Sequence, residues 1–217
     1  MSAEAAWPWV ALLLLGAFHG LNPGMGWLFA VALGLQEKRR QAVLRAVLPI
    51  AAGHALSIGA VVLVVGVIQV MLPQSLLQRL CAGVLIAFGI YRLFRARHPR
   101  WVGMRVGFKD LTIWSFVMAS AHGAGLMLVP ILLQWPTGQS SHAHLIHELS
   151  PEVIARSPGL MLLAVMVHTA GMLFVTTAVA VLVYEKFGLA LLRRAWLNVD
   201  LLWAIALFMA GVLALVW

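Results

Sequence analysis

Apolar residues run along this chain in long, nearly unbroken stretches, at roughly 7–36, 46–72, 77–94, 111–135, 160–184 and 201–217. A helix crosses the hydrocarbon core of a bilayer in about 20 residues at 1.5 Å each, and all six stretches approach or exceed that length. The third and sixth are short and call for little tilt. The first is too long for one straight span. The pattern predicts an all-α, polytopic membrane protein of six transmembrane helices, a single transmembrane domain over 1–217.

Composition supports this reading. Of 217 residues 63% are apolar and only 10% charged, and the mean hydropathy is +0.97. So few charges cannot cover so many apolar side chains in water, so lipid must serve as solvent. A cytosolic enzyme, a disordered tail and a secreted scaffold are excluded on this ground. Cys81 stands alone, which leaves no intramolecular disulfide and no thiol pair for redox relay.

The formal net charge of +8 raises the question of nucleic acid. The basic residues, however, are distributed by loop. Lys38, Arg39, Arg40 and Arg45 follow the first span, six more lie between Arg92 and Lys109, and Lys186, Arg193 and Arg194 follow the fifth. The alternate loops hold only Arg79 and Arg156. Such asymmetry in short loops predicts basic loops in the cytoplasm and both termini outside. The expected partners are the lipid bilayer and its anionic headgroups, with no nucleic acid, and assembly as a homo-oligomer stays open. Trp7, Trp9, Trp135 and Trp217 would form the outer aromatic belt, and Tyr91, Trp101, Tyr184 and Trp196 the inner one. Met1 to Ala6 lack the basic flank of a secretory signal, so the first span is expected to stay in the mature protein. A bacterial inner membrane is the expected location.

The two halves, about 1–98 and 110–217, echo one another. Phe18-His19-Gly20 opens a Gly-rich break in the first span, and Ala121-His122-Gly123 opens one in the fourth. The second and fifth spans each carry one histidine, His54 and His168, nine residues in. A three-span unit used twice must be inserted upside down the second time. The expectation is therefore two inverted three-helix repeats, the plan of many secondary transporters, whose sites lie at midplane where the repeats meet.

Within the first span, His19-Gly20-Leu21-Asn22-Pro23-Gly24-Met25-Gly26 should break the helix, because Pro23 cannot donate to the carbonyl of His19. That carbonyl is expected to lie exposed beside the imidazole. Unwound backbone in lipid is tolerated only against protein or a polar cavity. Gly20, Pro23, Gly24 and Gly26 are the expected hinge.

Polar groups inside spans are costly and tend to mark pathways. His19, His54, His122 and His168 form the candidate site, helped by Asn22 and by Met118 and Met172, which lie one helical turn from His122 and His168. Imidazole and thioether suit zinc, copper, iron, cobalt or nickel, whereas calcium and magnesium want oxygens, and no Asp or Glu lies deep in a span. Any one of these histidines alone would be read as an interhelical hydrogen-bonding group. The long external loop 136–159 holds His142, His144, His147 and Glu148, a tract of metal-binding composition that also reads as a plain solvated loop. There is no Walker lysine loop, no nucleophile elbow and no zinc-protease helix, and no enzymatic activity is expected.

The run from His19 to Gly26, with Gly53-His54-Ala55-Leu56-Ser57, resembles the NicO-type nickel/cobalt exporters of the LysE transporter superfamily. Those proteins carry His-x-x-x-Pro-Gly-His-Gly-Lys in the first span and a histidine in the second. His19, Pro23, Gly24 and Gly26 match, Met25 replaces the second histidine and Trp27 the lysine. The resemblance covers about the first 70 residues.

It implies a secondary transporter for a divalent transition-metal ion, carried as substrate with no other cofactor. Proton exchange on the same histidines would drive it, with binding weakening below about pH 6, since imidazole titrates near 6.5. Export follows from the resemblance, whereas a His-rich outer loop fits capture for import. Two other readings stay open: a b-type haem electron carrier, and an amino-acid or small-solute exporter of the LysE type.

Overall fold

A computed structural model describes residues 3–94, 107–133, 158–187 and 199–216. All elements among them are helical: α1 (Ala3–Leu21), a 3₁₀ turn (Pro23–Met25), α2 (Trp27–Glu37), α3 (Arg40–Met71), α4 (Gln74–Phe94), α5 (Phe108–Ala121), α6 (Ala124–Leu133), α7 (Pro158–Leu182), a π turn (Val183–Phe187) and α8 (Val199–Val216). Three helical stretches, Arg40–Gln69, Gln74–Phe94 and Gly159–Phe187, are long and apolar enough to cross a membrane. Helices α5 and α6 make a fourth if taken as one span bent by 57°. The apolar stretches Ala6–Leu21, Trp27–Glu37 and Leu201–Val216 are shorter.

Burial is reversed relative to a water-soluble bundle. Leu14, Leu63 and Phe174 are more than 60% exposed while His19, His54, His122 and His168 are at 0%. Polar groups line the inside and grease the outside, as lipid requires.

The helices associate in pairs: α1 along α7, α3 along α5, and α4 along α8. In lipid there is no hydrophobic drive for this, so close backbone approach at small residues must supply the contact. Gly16 and Gly20 of α1 lie against the backbone of His168, Met172 and Thr176, and Gly171 of α7 lies against Leu13 and Ala17 in return. Gly53 of α3 meets the Thr112 carbonyl on α5. Gly20 is thus a packing residue inside α1, because the missing side chain admits α7.

Breaks fall where Gly permits them. Gly26 at φ 120° and Gly123 at φ 68° occupy backbone conformations that other residues rarely adopt. Between Leu21 and Trp27 the chain makes one 3₁₀ turn, with Pro23 at its start and the Asn22 side-chain oxygen accepting from the Gly24 amide at 2.8 Å. The His19 carbonyl is not left exposed as expected. The Asn22 amide donates to it at 3.1 Å, a tighter turn replacing the bond that Pro23 cannot make.

One end of the bundle is tied by Arg40 and Glu185, 3.3 Å apart with side chains 61% and 42% exposed. An ion pair so wet contributes little. Glu185→Gln is expected to change stability by less than about 1 kcal/mol in a thermal unfolding assay in detergent, and a larger loss would show that this contact closes a structural gate.

Candidate metal centre

Three of the four expected histidines come together. The ring centroids of His19 lie 5.4 Å from those of His54 and 4.8 Å from those of His168, and His54 and His168 are 5.5 Å apart and nearly parallel. They reach one place from α1, α3 and α7. The Gly16 and Gly20 contact sets the depth of α1 against α7, and hence the approach of His19 to His168.

Hydrogen bonds determine which nitrogens carry protons. His19 Nδ1 lies 2.8 Å from the Leu15 carbonyl, and His168 Nδ1 3.2 Å from the Leu12 carbonyl. A carbonyl only accepts, so both Nδ1 atoms donate, and in the neutral ring each Nε2 then holds the lone pair. The Nε2 of His168 sits 3.4 Å from that of His54, which therefore donates to it. Two buried nitrogens in the cluster are left without a hydrogen-bond partner, His19 Nε2 and His54 Nδ1. Carbonyl-held histidines with the far nitrogen turned inward are the usual support of a metal-ligating imidazole.

No three His, Cys, Asp or Glu side chains among the described residues are gathered to hold a metal ion as they stand. The His54–His168 hydrogen bond also stands against ligation. Its proton lies between the two nitrogens, and a ring donating through Nε2 has no lone pair there. The separation itself suits an ion, since two nitrogens on a tetrahedral metal with bonds of about 2.0–2.1 Å lie about 3.3–3.4 Å apart.

His122 departs from the expected set. Its Nδ1 lies 2.8 Å from the Met118 carbonyl, the same four-residue reach that His19 makes to Leu15, but its Nε2 faces Arg92 Nη2 at 3.3 Å. Trp203 stands against both rings, with its centroid 4.3 Å from that of His19 and 5.8 Å from that of His122, and its Nε1 donates to the His122 carbonyl at 2.6 Å.

Arg92 itself overturns an expectation. Counted by sequence among the cytoplasmic loop charges, it lies inside α4 and is 5% exposed.

The helpers also differ from expectation. The Asn22 oxygen accepts from the Gly24 amide, so the side chain caps the 3₁₀ turn. Met172 is packed in the main apolar core with Met25, Trp203 and Leu207. Met118 is 2% exposed and meets His122 through its carbonyl. Gly24, with its bare Cα near the His122 ring, and Gly26 belong to the break as expected. His142, His144, His147 and Glu148 lie outside the described residues. Sequence reasoning missed Arg92 and Trp203, and an arginine at the very end of an apolar run was the one available signal for the first.

No protein-family model, no curated protein and no solved structure matches the chain.

Proposed function

We propose that this protein is a multi-pass secondary transporter for a divalent transition-metal ion, which passes the midplane on His19, His54 and His168. Two inverted three-helix halves are part of this reading, and helix pairing supports them. Each histidine-bearing break, at His19 and at His122, is packed on the histidine-bearing helix of the other half, and α4 and α8 pack on each other. Both termini lie outside a bacterial inner membrane in this reading, from the loop charges.

The observation that carries the proposal is the fully buried, carbonyl-held pair His19 and His168, whose Nδ1–H donation leaves the lone pair of each ring on Nε2. Two ligands are thus preformed. The third, His54, joins when its Nε2 proton moves to the unpartnered Nδ1, which frees a lone pair toward the ion. A ring that has taken up a second proton must give it up before it can ligate, so cation entry displaces protons only from imidazolium rings. Binding weakens on acidification, because protons compete for the same lone pairs.

The haem reading is supported less well. The facing nitrogens of His54 and His168 are in hydrogen-bond contact and Trp203 fills the volume beside His19, which leaves no slot for a porphyrin plane.

The test is elemental analysis of protein equilibrated in detergent with nickel, cobalt or zinc, paired with counterflow in proteoliposomes. Alanine at His19, His54 or His168 is expected to lower retained metal at least about tenfold, and acid should release it from wild type. If wild type retains no more metal than the triple variant, the reading fails and the small-solute exporter takes its place.

A further inference from the structure

The two halves of the molecule treat equivalent histidines differently. His19 lies in the last turn of α1 and His122 directly follows α5; both donate Nδ1–H to the carbonyl four residues back at 2.8 Å, and both are fully buried. The Nε2 of His19 is buried without a partner, and its ring lies 5.4 Å and 4.8 Å from those of His54 and His168. That of His122 lies 3.3 Å from Arg92 Nη2. A guanidinium is always charged and only donates, so the His122 lone pair is engaged by a cation that belongs to the protein.

His54 and His168 are repeat mates whose Nε2 atoms meet at 3.4 Å, as expected for a pair astride the axis that relates the halves. From such a pair, His19 and His122 are the two equivalent candidates for third ligand. In this structure His19 takes the place.

We infer that Arg92 is a built-in surrogate cation that holds His122 away from the shared His54–His168 pair, so that the ion is bound by one half at a time. This rests on the metal-transport reading. Arg92 is then a positioning residue, acting on the ion only through His122. When the halves exchange conformations, His122 leaves Arg92 and joins the pair as His19 withdraws. An ion held by four imidazoles at once would be bound too tightly to leave, and the guanidinium prevents that.

Cobalt(II) binding tests this, since its visible absorption reports the number and symmetry of ligands as well as affinity. In wild type, His19→Ala is expected to lower cobalt affinity at least tenfold, and His122→Ala to lower it by clearly less. Adding Arg92→Met to His19→Ala should restore at least half of the lost cobalt occupancy, with an altered spectrum, and adding His122→Ala should abolish that rescue. Arg92→Lys keeps a cation and should give no rescue. A loss in His122→Ala equal to that in His19→Ala overturns the inference, because His122 would then be a resting ligand. So does a folded His19→Ala/Arg92→Met protein, monodisperse and helical, that regains nothing.

If wild type binds no cobalt but Arg92→Met creates binding that depends on His122, the surrogate role stands and the transport reading falls. If neither binds, both fall.

Discussion

Replacing Gly16 with alanine is expected to unseat α1 from α7 and empty the histidine cluster, although it adds one methyl to a helix. A Cβ at Gly16 would collide with the His168 carbonyl oxygen and lie within 2.9 Å of the His168 carbonyl carbon and 3.1 Å of the Met172 amide. Backbone cannot rotate away as a flexible side chain can, so the helices must part. Overpacking of this kind costs about 1–3 kcal/mol in ordinary cores, and here it acts on close contact, the main source of helix association in lipid.

The same displacement stretches the His168 Nδ1 bond to the Leu12 carbonyl, now 3.2 Å, and moves the His19 ring from its 4.8 Å approach to His168. Gly83→Ala in α4 is the matched control, because nothing lies within 4 Å of a Cβ there. It should be neutral or raise stability by up to about 1 kcal/mol through helix propensity. Thermal unfolding in detergent, with bound cobalt read on the same samples, checks the pair. A Gly16→Ala protein as stable and as metal-replete as Gly83→Ala would show that the α1–α7 contact does not set the site.

That glycine was visible in the sequence only as part of a Gly-rich run. What the sequence displayed well was local: Pro23 with its glycines marks the first break, Gly123 the second, and polar imidazoles in apolar runs mark the cluster. These follow from rules that hold within one helix. What it could not display depends on which helix lies opposite. Arg92 ends an apolar run and precedes other arginines, so by its own position it belongs with the loop charges. Only the packing of α6 beside α4 brings its guanidinium to His122. The Asn22 side chain has the same ambiguity, since a ligand oxygen and a capping oxygen look alike until the Gly24 amide is seen beneath it. The grouping of three histidines rather than four is a property of helix pairing, which residue spacing along one chain does not encode.

Trp203 shows how much rests on a residue that carries none of the candidate chemistry. It is at 0% exposure, stacks on Phe18 with centroids 5.2 Å apart and planes 6° from parallel, and presents an edge to His19. Its indole N–H holds the His122 carbonyl at 2.6 Å, beside the second break. One side chain therefore braces both broken segments from α8. Trp203→Ala leaves a large cavity and is expected to cost about 3–5 kcal/mol. Trp203→Phe restores most of the volume but not the donor, and should cost about 1–3 kcal/mol from the carbonyl left behind.

The two variants separate packing from hydrogen bonding at the site. With the aromatic fill retained, His19 keeps its wall, so Trp203→Phe should hold cobalt close to wild-type level while the freed α5–α6 break becomes more mobile in hydrogen exchange around His122. Trp203→Ala should lose both stability and cobalt. If the alanine variant unfolded within about 1 kcal/mol of wild type, the indole would not be the brace, and the His19 and His122 geometries would have to be set by their own helices alone.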